Sequence, residues 1–366
     1  MKQKKVKKKR KRLEERNKIK PTKFRMIGIN SAGIKCKLRS LDDILSRLKP
    51  QIFALEETKL KPNETLKCDA TETFQMFYLN RQDSQGGGLA IGIDKNIEST
   101  LVREGNDLVE AMVVQTVLGK IPVRIIIAYG PQENASIEKK EKFWNFLEEE
   151  SNKAEFEDQG LIIQMDGNLH AGPGLIKDDP NVQNKNGKMF MQFLERNPYL
   201  VVANKLDICQ GTITRQRDFE NKSEKAILDF FITNEKLRPF LTKMIIDEER
   251  EFCLSNFSQV KKNKQVVETD HNCMISDFDI YIPKRKPERV EIFNFRNKQC
   301  QEVFTKETNE NMKLIECFDN DLPLEKQCRD WLKTFNSILY KCFRKVRVVK
   351  SRKKNDESHE LLKERL

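Results

Sequence analysis

The sequence predicts an α/β fold in which two β-sheets form a sandwich flanked by helices, followed by a C-terminal helical segment. Short apolar runs of strand length recur from residue 24 to residue 280, bounded by polar or glycine-containing stretches. A few segments between them have the three- and four-residue spacing of helices. The strand pattern ends at a basic stretch with two prolines, residues 282–287, and amphipathic helical spacing follows over 295–350.

The individual elements follow from the same patterns. The first strand is predicted over 24–29 and ends at Asn30. Leucines and isoleucine at helical spacing predict a helix over 38–48, which Pro50 terminates. Helices are also predicted at 136–151 and 187–196, and three consecutive glycines at 86–88 predict a turn. Further strands are predicted at 51–55, 74–79, 88–93, 110–117, 121–128, 161–165, 199–203, 227–232, 242–247 and 273–280.

The predicted organisation has three parts: a disordered basic tail at 1–22, one large domain at 23–283, and a linker with helices at 284–366. Residues 1–20 contain twelve Lys and Arg against two Glu, and residues 341–366 contain ten against four acidic residues. Because the net charge of the 366 residues is +12, the rest of the chain carries a net charge of −4. The ends therefore attract polyanions, and the acidic body favours a bound cation.

Composition also bears on location. The basic run at 7–12 predicts a nuclear import signal or an arm that contacts nucleic acid, with a solvated tail as the alternative. Nine scattered cysteines without a CxxC pair favour a reducing compartment, and only three histidines give little support to a structural zinc site. We therefore predict the nucleus, with the cytoplasm as a second location. No apolar run approaches the ~20 residues of a membrane-spanning helix, so no membrane association is expected.

Three short polar segments each lie next to an apolar, strand-like run. Acids, amides and imidazoles at strand ends can be held rigidly by a sheet. These segments therefore predict one metal-dependent site assembled across the sheet. They are Glu57-Thr58-Lys59, Asp166-Gly167-Asn168-Leu169-His170 and Thr269-Asp270-His271.

Asp229 stands out because it lies within the apolar run 227–232. A carboxylate is costly to bury unless it is paired, and His271 is the most economical partner. An Asp–His pair fixes the imidazole in one tautomer and raises its basicity. The alternative is an edge strand whose Asp229 side chain faces water.

Seven segments, in this order, resemble the endonuclease/exonuclease/phosphatase family, which has the DNase I-like fold. Within that family they are most similar to the endonuclease domain of non-LTR (LINE-type) retrotransposons. One such segment alone is weak evidence, whereas seven segments in the same order over residues 24–282 are specific to the family. The segments are Ile29-Asn30, Leu55-Glu56-Glu57-Thr58-Lys59, Ala128-Tyr129-Gly130-Pro131, Asp166-Gly167-Asn168 with His170, Gly211-Thr212-Ile213-Thr214-Arg215, Ile227-Leu228-Asp229-Phe230 and Thr269-Asp270-His271.

The resemblance implies a divalent metal ion, Mg²⁺ with Mn²⁺ as an alternative. Glu57 would bind it, with Asn30 and Asp270 beside it as ligands directly or through water. Many repair members of the family carry an acidic ligand two residues after the Asn, where this chain has Ala32. This departure removes one negative charge from the site and predicts a low metal affinity.

The resemblance also implies the catalytic roles. Asp166 would orient or deprotonate the attacking water, and Asn168 would help to place the water and the phosphate. His271, held by Asp229, would donate to the phosphate oxygens as charge develops, and Tyr129 would hydrogen-bond the phosphate or aid the leaving group. The expected products are a 3′-hydroxyl and a 5′-phosphate.

The segment between Thr214 and Asp229 corresponds, by the same resemblance, to a hairpin that contacts the DNA minor groove. Its basic residues would reach phosphates or a narrow groove. The alternative is an ordinary solvated hairpin. The implied DNA-binding residues are Thr214, Arg215, Arg217, Lys222 and Lys225.

The implied function is nicking of a double-stranded DNA target. Residues from 293 onward resemble the segment that leads into reverse transcriptase in such elements, so a reverse transcriptase module or element RNA is a candidate partner. One alternative is an abasic-site repair endonuclease or another phosphodiesterase of the same fold, acting on RNA or lipid headgroups. A different class of alternative is a domesticated protein that binds DNA without cleaving it.

Overall fold

The computed structural model describes residues 22–82, 86–106, 108–219, 222–260, 266–282, 289–293, 298–315, 324–343 and 345–349. The chain divides into two compact units, Met1–Lys284 and Arg285–Leu366. The basic run at 7–12 and the residues after 349 lie outside the described residues. In the part that is described, no helix is long and apolar enough to cross a membrane.

The first unit consists mainly of strands, with three longer helices among its described residues. The helices are α1 (Leu38–Leu48), α2 (Ile137–Phe156) and α3 (Lys185–Arg196). The strands are β1 (Thr22–Asn30), β2 (Ile52–Glu56), β3 (Phe74–Leu79), β4 (Leu89–Asp94), β5 (Ser99–Asn106), β6 (Val109–Leu118), β7 (Ile121–Tyr129), β8 (Gly160–Asp166), β9 (Leu200–Val202), β10 (Cys209–Gln210), β11 (Arg215–Phe219), β12 (Lys222–Ala226), β13 (Asp229–Asn234), β14 (Leu241–Ile246), β15 (Ser255–Val260), β16 (Val266–Glu268) and β17 (Met274–Ile282).

These strands form two mixed sheets and two small ribbons. One sheet has the order β10-β14-β17-β1-β2-β4-β3, and the other has the order β5-β6-β7-β8-β13-β9. The ribbons are β11–β12 and β15–β16. The predicted fold class, an α/β sandwich of two sheets with flanking helices, is therefore confirmed.

Three apolar clusters give the unit its layers. The first lies between the sheets and includes Met26 of β1 and Phe231 of β13. The second joins the outer face of the first sheet to α1, where Leu41 packs. The third joins the outer face of the second sheet to α2 and α3, where Trp144 packs against Phe190. Central strands are thus apolar on both faces, which explains why they appear in the sequence as continuous apolar runs.

Among its described residues, the second unit has two helices and a strand pair. The helices are α4 (Lys298–Ile315) and α5 (Leu324–Cys342), as the helical spacing predicted. β18 (Arg289–Phe293) pairs antiparallel with β19 (Lys345–Val349). The helical prediction is therefore wrong at 345–349, where three valines favour an extended backbone.

Candidate active site

Three neighbouring strands of the second sheet bring Tyr129, Asp166 and Asp229 into one row. β7 runs parallel to β8 with Tyr129 opposite Asp166, and β13 runs antiparallel to β8 with Asp229 opposite Asp166. Met165 and Phe230, the adjacent residues, belong to the outer apolar cluster. Because side chains alternate along a strand, Asp166 and Asp229 face the other sheet.

The first sheet contributes the remaining parts of the site. Asn30 ends β1 and pairs with Glu56, which ends the parallel strand β2. Thr269 Oγ1 donates to the Asn30 carbonyl at 2.8 Å, so the segment that leads to His271 is fastened to the end of β1. Glu57 leaves β2 with a left-handed φ of 51°. Strained backbone of this kind is concentrated at functional sites, where the surrounding structure holds it in place.

His271 and Asp229 form a buried pair. His271 Nδ1 lies 2.9 Å from Asp229 Oδ2 and 3.1 Å from Oδ1. Burial by itself would lower the pKa of His271, but the charge and hydrogen bond of Asp229 raise it to about 10. His271 is therefore a cation at neutral pH. Asp229 is a paired, buried acid and not a solvent-facing residue of an edge strand.

Asp166 faces this pair across a short gap. Its Oδ2 lies 3.9 Å from His271 Nε2 and accepts a hydrogen bond from Asn30 Nδ2 at 2.6 Å. The N–H of Asn168 donates to its Oδ1 at 3.0 Å. Burial and the charge of Asp229 raise the pKa of Asp166 to about 7, against the opposing effect of His271. Asp166 can thus exchange a proton near neutral pH, as a general base must.

Asn168 ties the turn after β8 to the end of β7. Its backbone is left-handed, with φ 47°, and its Nδ2 donates to the Gly130 carbonyl at 2.9 Å. The Gly130 N–H donates to the Asp166 carbonyl at 2.7 Å. A Cβ at Gly130 would lie 2.2 Å from the Gly167 carbonyl oxygen, so only glycine fits there. The structure thereby brings together the five residues expected to be catalytic: Tyr129, Asp166, Asn168, Asp229 and His271.

The three expected metal-binding residues differ in how available their side-chain oxygens are as ligands. Glu57 has a side chain that is 20% exposed, and Lys59 Nζ is 3.5 Å from its Oε1. Asn30 Oδ1 already accepts the N–H of Ala32 at 2.9 Å. Carboxylate and amide oxygens suit a hard divalent cation. Glu57 therefore fits as a direct ligand, and Asn30 fits as a neighbour that acts through water.

Asp270, the third expected ligand, is already paired with a cation. Arg215 Nε donates to Asp270 Oδ2 at 2.8 Å, and the N–H of Gln216 donates to the Asp270 carbonyl at 2.8 Å. Burial would raise the pKa of Asp270, but the charges of His271 and Arg215 lower it. A metal ion has to compete with Arg215 for this carboxylate, which adds to the low affinity expected from Ala32.

A further set of metal-ligating atoms comes from Asp166, Asp229 and His271, which offer one atom each within 4.8 Å of one another. A histidine must be neutral to bind a metal. The pKa of about 10 for His271 instead keeps this histidine protonated beside Asp229. The three groups can therefore supply acid–base chemistry and charge stabilisation, and a metal ion that bound His271 would have to displace its proton.

The expected DNA-binding residues have unequal surroundings. Thr214 is fully buried, and its Oγ1 accepts the N–H groups of Leu228 and Asp229 at 2.9 and 3.0 Å. The prediction that Thr214 contacts DNA directly is therefore wrong, because its buried side chain supports the strand that carries Asp229. Arg215 contacts Asp270 at the base of the ribbon. Contacts by the remaining residues stay predictions: Arg217 and Lys225, which are exposed, and Lys222, which lies in β12.

Glu56 and Lys37 are buried charged residues beside the site that were not predicted. Glu56 is fully buried, and burial together with the charges of Asp229 and Asp166 raises its pKa to about 8. Lys37 donates from Nζ to the Ser31 carbonyl, and burial lowers its pKa. The only sequence signal for Glu56 is its place at the end of an apolar run. In the sequence, Lys37 cannot be distinguished from an exposed lysine beside a helix, so nothing in the sequence indicates that it is buried.

Comparison with known proteins supports the fold. No protein-family model and no curated protein matches the sequence. Among solved structures, the 3′-5′ exonuclease NExo from Neisseria meningitidis superimposes with a TM-score of 0.52 at 15% identity, over 70% of this chain and 100% of that chain. An AP endonuclease from Archaeoglobus fulgidus superimposes with a TM-score of 0.50 at 15% identity, over 70% and 99%.

The endonuclease domain of TRAS1, a telomere-specific non-LTR retrotransposon, superimposes with a TM-score of 0.49 at 16% identity, over 70% of this chain and 98% of that chain. The two matches at 0.50 and 0.52 show that this chain has the DNase I-like fold. The fold implied by the seven sequence segments is therefore confirmed.

Proposed function

We propose that this protein is a metal-dependent DNA endonuclease that hydrolyses phosphodiester bonds to leave 3′-hydroxyl and 5′-phosphate ends. The observation that carries the proposal is the gap of 3.9 Å between Asp166 Oδ2 and His271 Nε2, with Asp229 behind the imidazole. A base and a cation on opposite sides of a small gap suit attack by water on a phosphodiester. Structures of the same fold include a 3′ phosphatase NExo from Neisseria bound to a product DNA hairpin.

The residues divide the reaction between them. Asp166 accepts the proton of the attacking water, with Asn168 placing that water. His271 donates from Nε2 to a phosphate oxygen, and Asp229 keeps the imidazole protonated and oriented. Tyr129 hydrogen-bonds the phosphate or donates to the leaving 3′ oxygen, which takes up a proton as the P–O3′ bond breaks. These groups are fixed before substrate arrives, so little reorganisation is needed as negative charge develops.

Mg²⁺, or Mn²⁺ in its place, is the cofactor that the oxygen ligands favour, with Glu57 as its direct ligand and Asn30 and Asp270 beside it. When bound, such an ion neutralises charge on the phosphate oxygens. The cation Lys59 near Glu57 and the Arg215–Asp270 pair both oppose tight binding. We therefore expect activity to need millimolar rather than micromolar metal.

The retrotransposon-like order of the seven segments supports target-site nicking of double-stranded DNA, with a reverse transcriptase module or element RNA as partner. The basic run at 7–12 supports location in the nucleus.

The test is nicking of supercoiled plasmid in Mg²⁺ and in chelator, by wild type and by Asp166→Ala and His271→Ala. Asp158→Ala is the control, because Asp158 precedes the opposite end of β8 and is 91% exposed. We expect wild type and Asp158→Ala to nick only with metal, and the two site variants to lose activity.

Nicking that survives both site substitutions would show that the site is misplaced. A strong preference for abasic DNA over intact plasmid would favour the repair alternative. DNA binding without nicking in any divalent metal would favour a binding role without catalysis.

A further inference from the structure

Arg81 lies beside the ring of Tyr129 although it belongs to none of the seven segments. Its Cζ is 5.8 Å from the centre of that ring. Its Nε donates to Glu110 Oε2 at 2.9 Å, and its Nη2 donates to the same oxygen. The Glu110 side chain is 9% exposed, whereas that of Arg81 is 33% exposed. A buried carboxylate thus anchors a guanidinium against an active-site tyrosine.

The anchor is built into the sandwich. Glu110 lies in β6, and its Oε1 accepts the N–H of Gly88. A Cβ at Gly87, where φ is +61°, would lie 2.3 Å from both Arg81 Nε and Glu110 Oε1. The chain therefore leaves room for this pair only by placing a glycine there.

The same glycine turn supports the Glu57 loop. The Gly87 carbonyl accepts the N–H of Lys59 at 2.8 Å, and the Gly88 carbonyl accepts the N–H of Thr58 at 3.0 Å. The Glu57 loop is thus held by backbone hydrogen bonds of the turn and not by Arg81 itself, so a loss of activity in an Arg81 variant reports on Tyr129.

We propose that Arg81 is a positioning residue that holds the Tyr129 ring in place against the substrate phosphate, with Glu110 as its anchor. The inference rests on the proposed nuclease function. Arginine suits this task because its planar fork can bind a carboxylate with several N–H groups while its face lies on an aromatic ring. Lysine keeps the charge but loses the fork.

The chain offers a matched control in Arg103. Its guanidinium lies 4.2 Å from the centre of the Phe146 ring and pairs with Glu149 and Glu150 of α2. Its side chain is 34% exposed, close to the value for Arg81. The chemistry is the same, but Phe146 belongs to the outer cluster and not to the active site.

The experiment compares wild type, Arg81→Ala, Arg81→Lys, Tyr129→Phe, the Arg81→Ala/Tyr129→Phe double variant and Arg103→Ala. Nicking rate in Mg²⁺, DNA affinity in chelator and thermal unfolding are measured for each. Arg81→Ala removes the cation from buried Glu110, so Arg81→Lys serves as the milder variant if the fold is weakened.

We expect Arg81→Ala to lower the nicking rate about tenfold, the size of effect that a partly desolvated cation–aromatic contact gives. Arg81→Lys should recover part of that loss. The double variant should be no slower than Tyr129→Phe alone, because Arg81 acts through the tyrosine hydroxyl. Arg103→Ala should nick at the wild-type rate.

Additive losses in the double variant, or an equal loss in Arg103→Ala, would overturn the positioning role. If wild type binds DNA but does not nick it, the proposed function falls. The DNA affinities then test Arg81: equal affinities of the double variant and Tyr129→Phe support the positioning role, and a lower affinity of the double variant overturns it. If wild type neither nicks nor binds DNA, both proposals fall.

Discussion

Asp229 lies directly opposite Asp166 in the antiparallel pairing of β13 with β8. His271 contacts the Asp229 carboxylate and faces the Asp166 carboxylate. Burial, and then repulsion from the Asp229 carboxylate, raise the pKa of Asp166 to about 7. The protonated imidazole offsets part of this repulsion. The arrangement keeps one acid as a structural partner and leaves the other able to accept a proton.

Asp229→Asn should lower the nicking rate by about 10²- to 10⁴-fold, because His271 would no longer be held as a cation. DNA affinity should change little, since Asp229 is buried. The control is Asp277→Asn, which breaks an ion pair with Arg25 at 2.6 Å elsewhere in the first sheet. Unchanged turnover in Asp229→Asn would remove the Asp229–His271 pair from the mechanism.

Glu56→Gln should stabilise the protein more at high pH than at low pH. The pKa of Glu56 is raised to about 8 in the fold, above its ordinary 4.5, so the folded state favours the protonated acid. Wild-type stability from this group is present below pH 4.5 and is lost as pH rises towards 8. Urea unfolding measures the change in the free energy of unfolding that Glu56→Gln causes. That change should be more favourable at pH 9 than at pH 5 by roughly a few kcal/mol.

The control for that measurement is Glu150→Gln. Glu150 is also buried, but its ion pairs with Lys153, Arg103 and Arg124 lower its pKa despite burial. Its substitution should cost stability at both pH values. An effect of Glu56→Gln that is equal at pH 5 and pH 9 would mean that Glu56 is not held as a neutral acid.

Arg215→Ala should increase affinity for Mn²⁺ by roughly two- to fivefold, because it releases Asp270 from a half-buried ion pair. Electron paramagnetic resonance of free Mn²⁺ measures this without any nicking assay. Arg217→Ala is the control on the same strand and should leave the affinity unchanged. If both variants bind Mn²⁺ as wild type does, Asp270 takes no part in metal binding.

Deletion of residues 1–20 should flatten the salt dependence of DNA binding, since a net charge of +10 leaves with them, twelve basic against two acidic residues. Each lost phosphate contact should reduce the slope of log K against log salt by about 0.9. Deletion of residues 351–366, which hold five basic and four acidic residues, should barely change the slope. Equal slopes in all three proteins would mean that the basic tail does not touch DNA.

The core strands were predictable because burial on both faces demands a long apolar run, as in β2 and β8. β5 was missed because its burial alternates, so its outward positions carry residues such as Glu104. The helical prediction at 345–349 failed where local spacing is ambiguous and pairing with β18 decides the structure.

The site residues also divide into those that the sequence indicated and those that it did not. The buried Asp229 was evident because an acid among apolar residues demands a partner. The Arg215–Asp270 pair joins residues 55 positions apart and depends on the register of a ribbon, so local sequence carries no trace of it. Arg81 was hidden for the same reason, because its contact with Tyr129 exists only once β6 and the glycine turn are in place.

The bond from Asn30 to Asp166 spans 136 positions, and the bond from Thr269 back to Asn30 spans 239. A ribosome must therefore release nearly all of the first unit before His271 can meet Asp166. A growing chain that ends before residue 271 lacks the imidazole altogether, however much of the sandwich it has formed. If the protein cleaves DNA as proposed, a cell that makes it is protected from its own growing chains until His271 has left the ribosome.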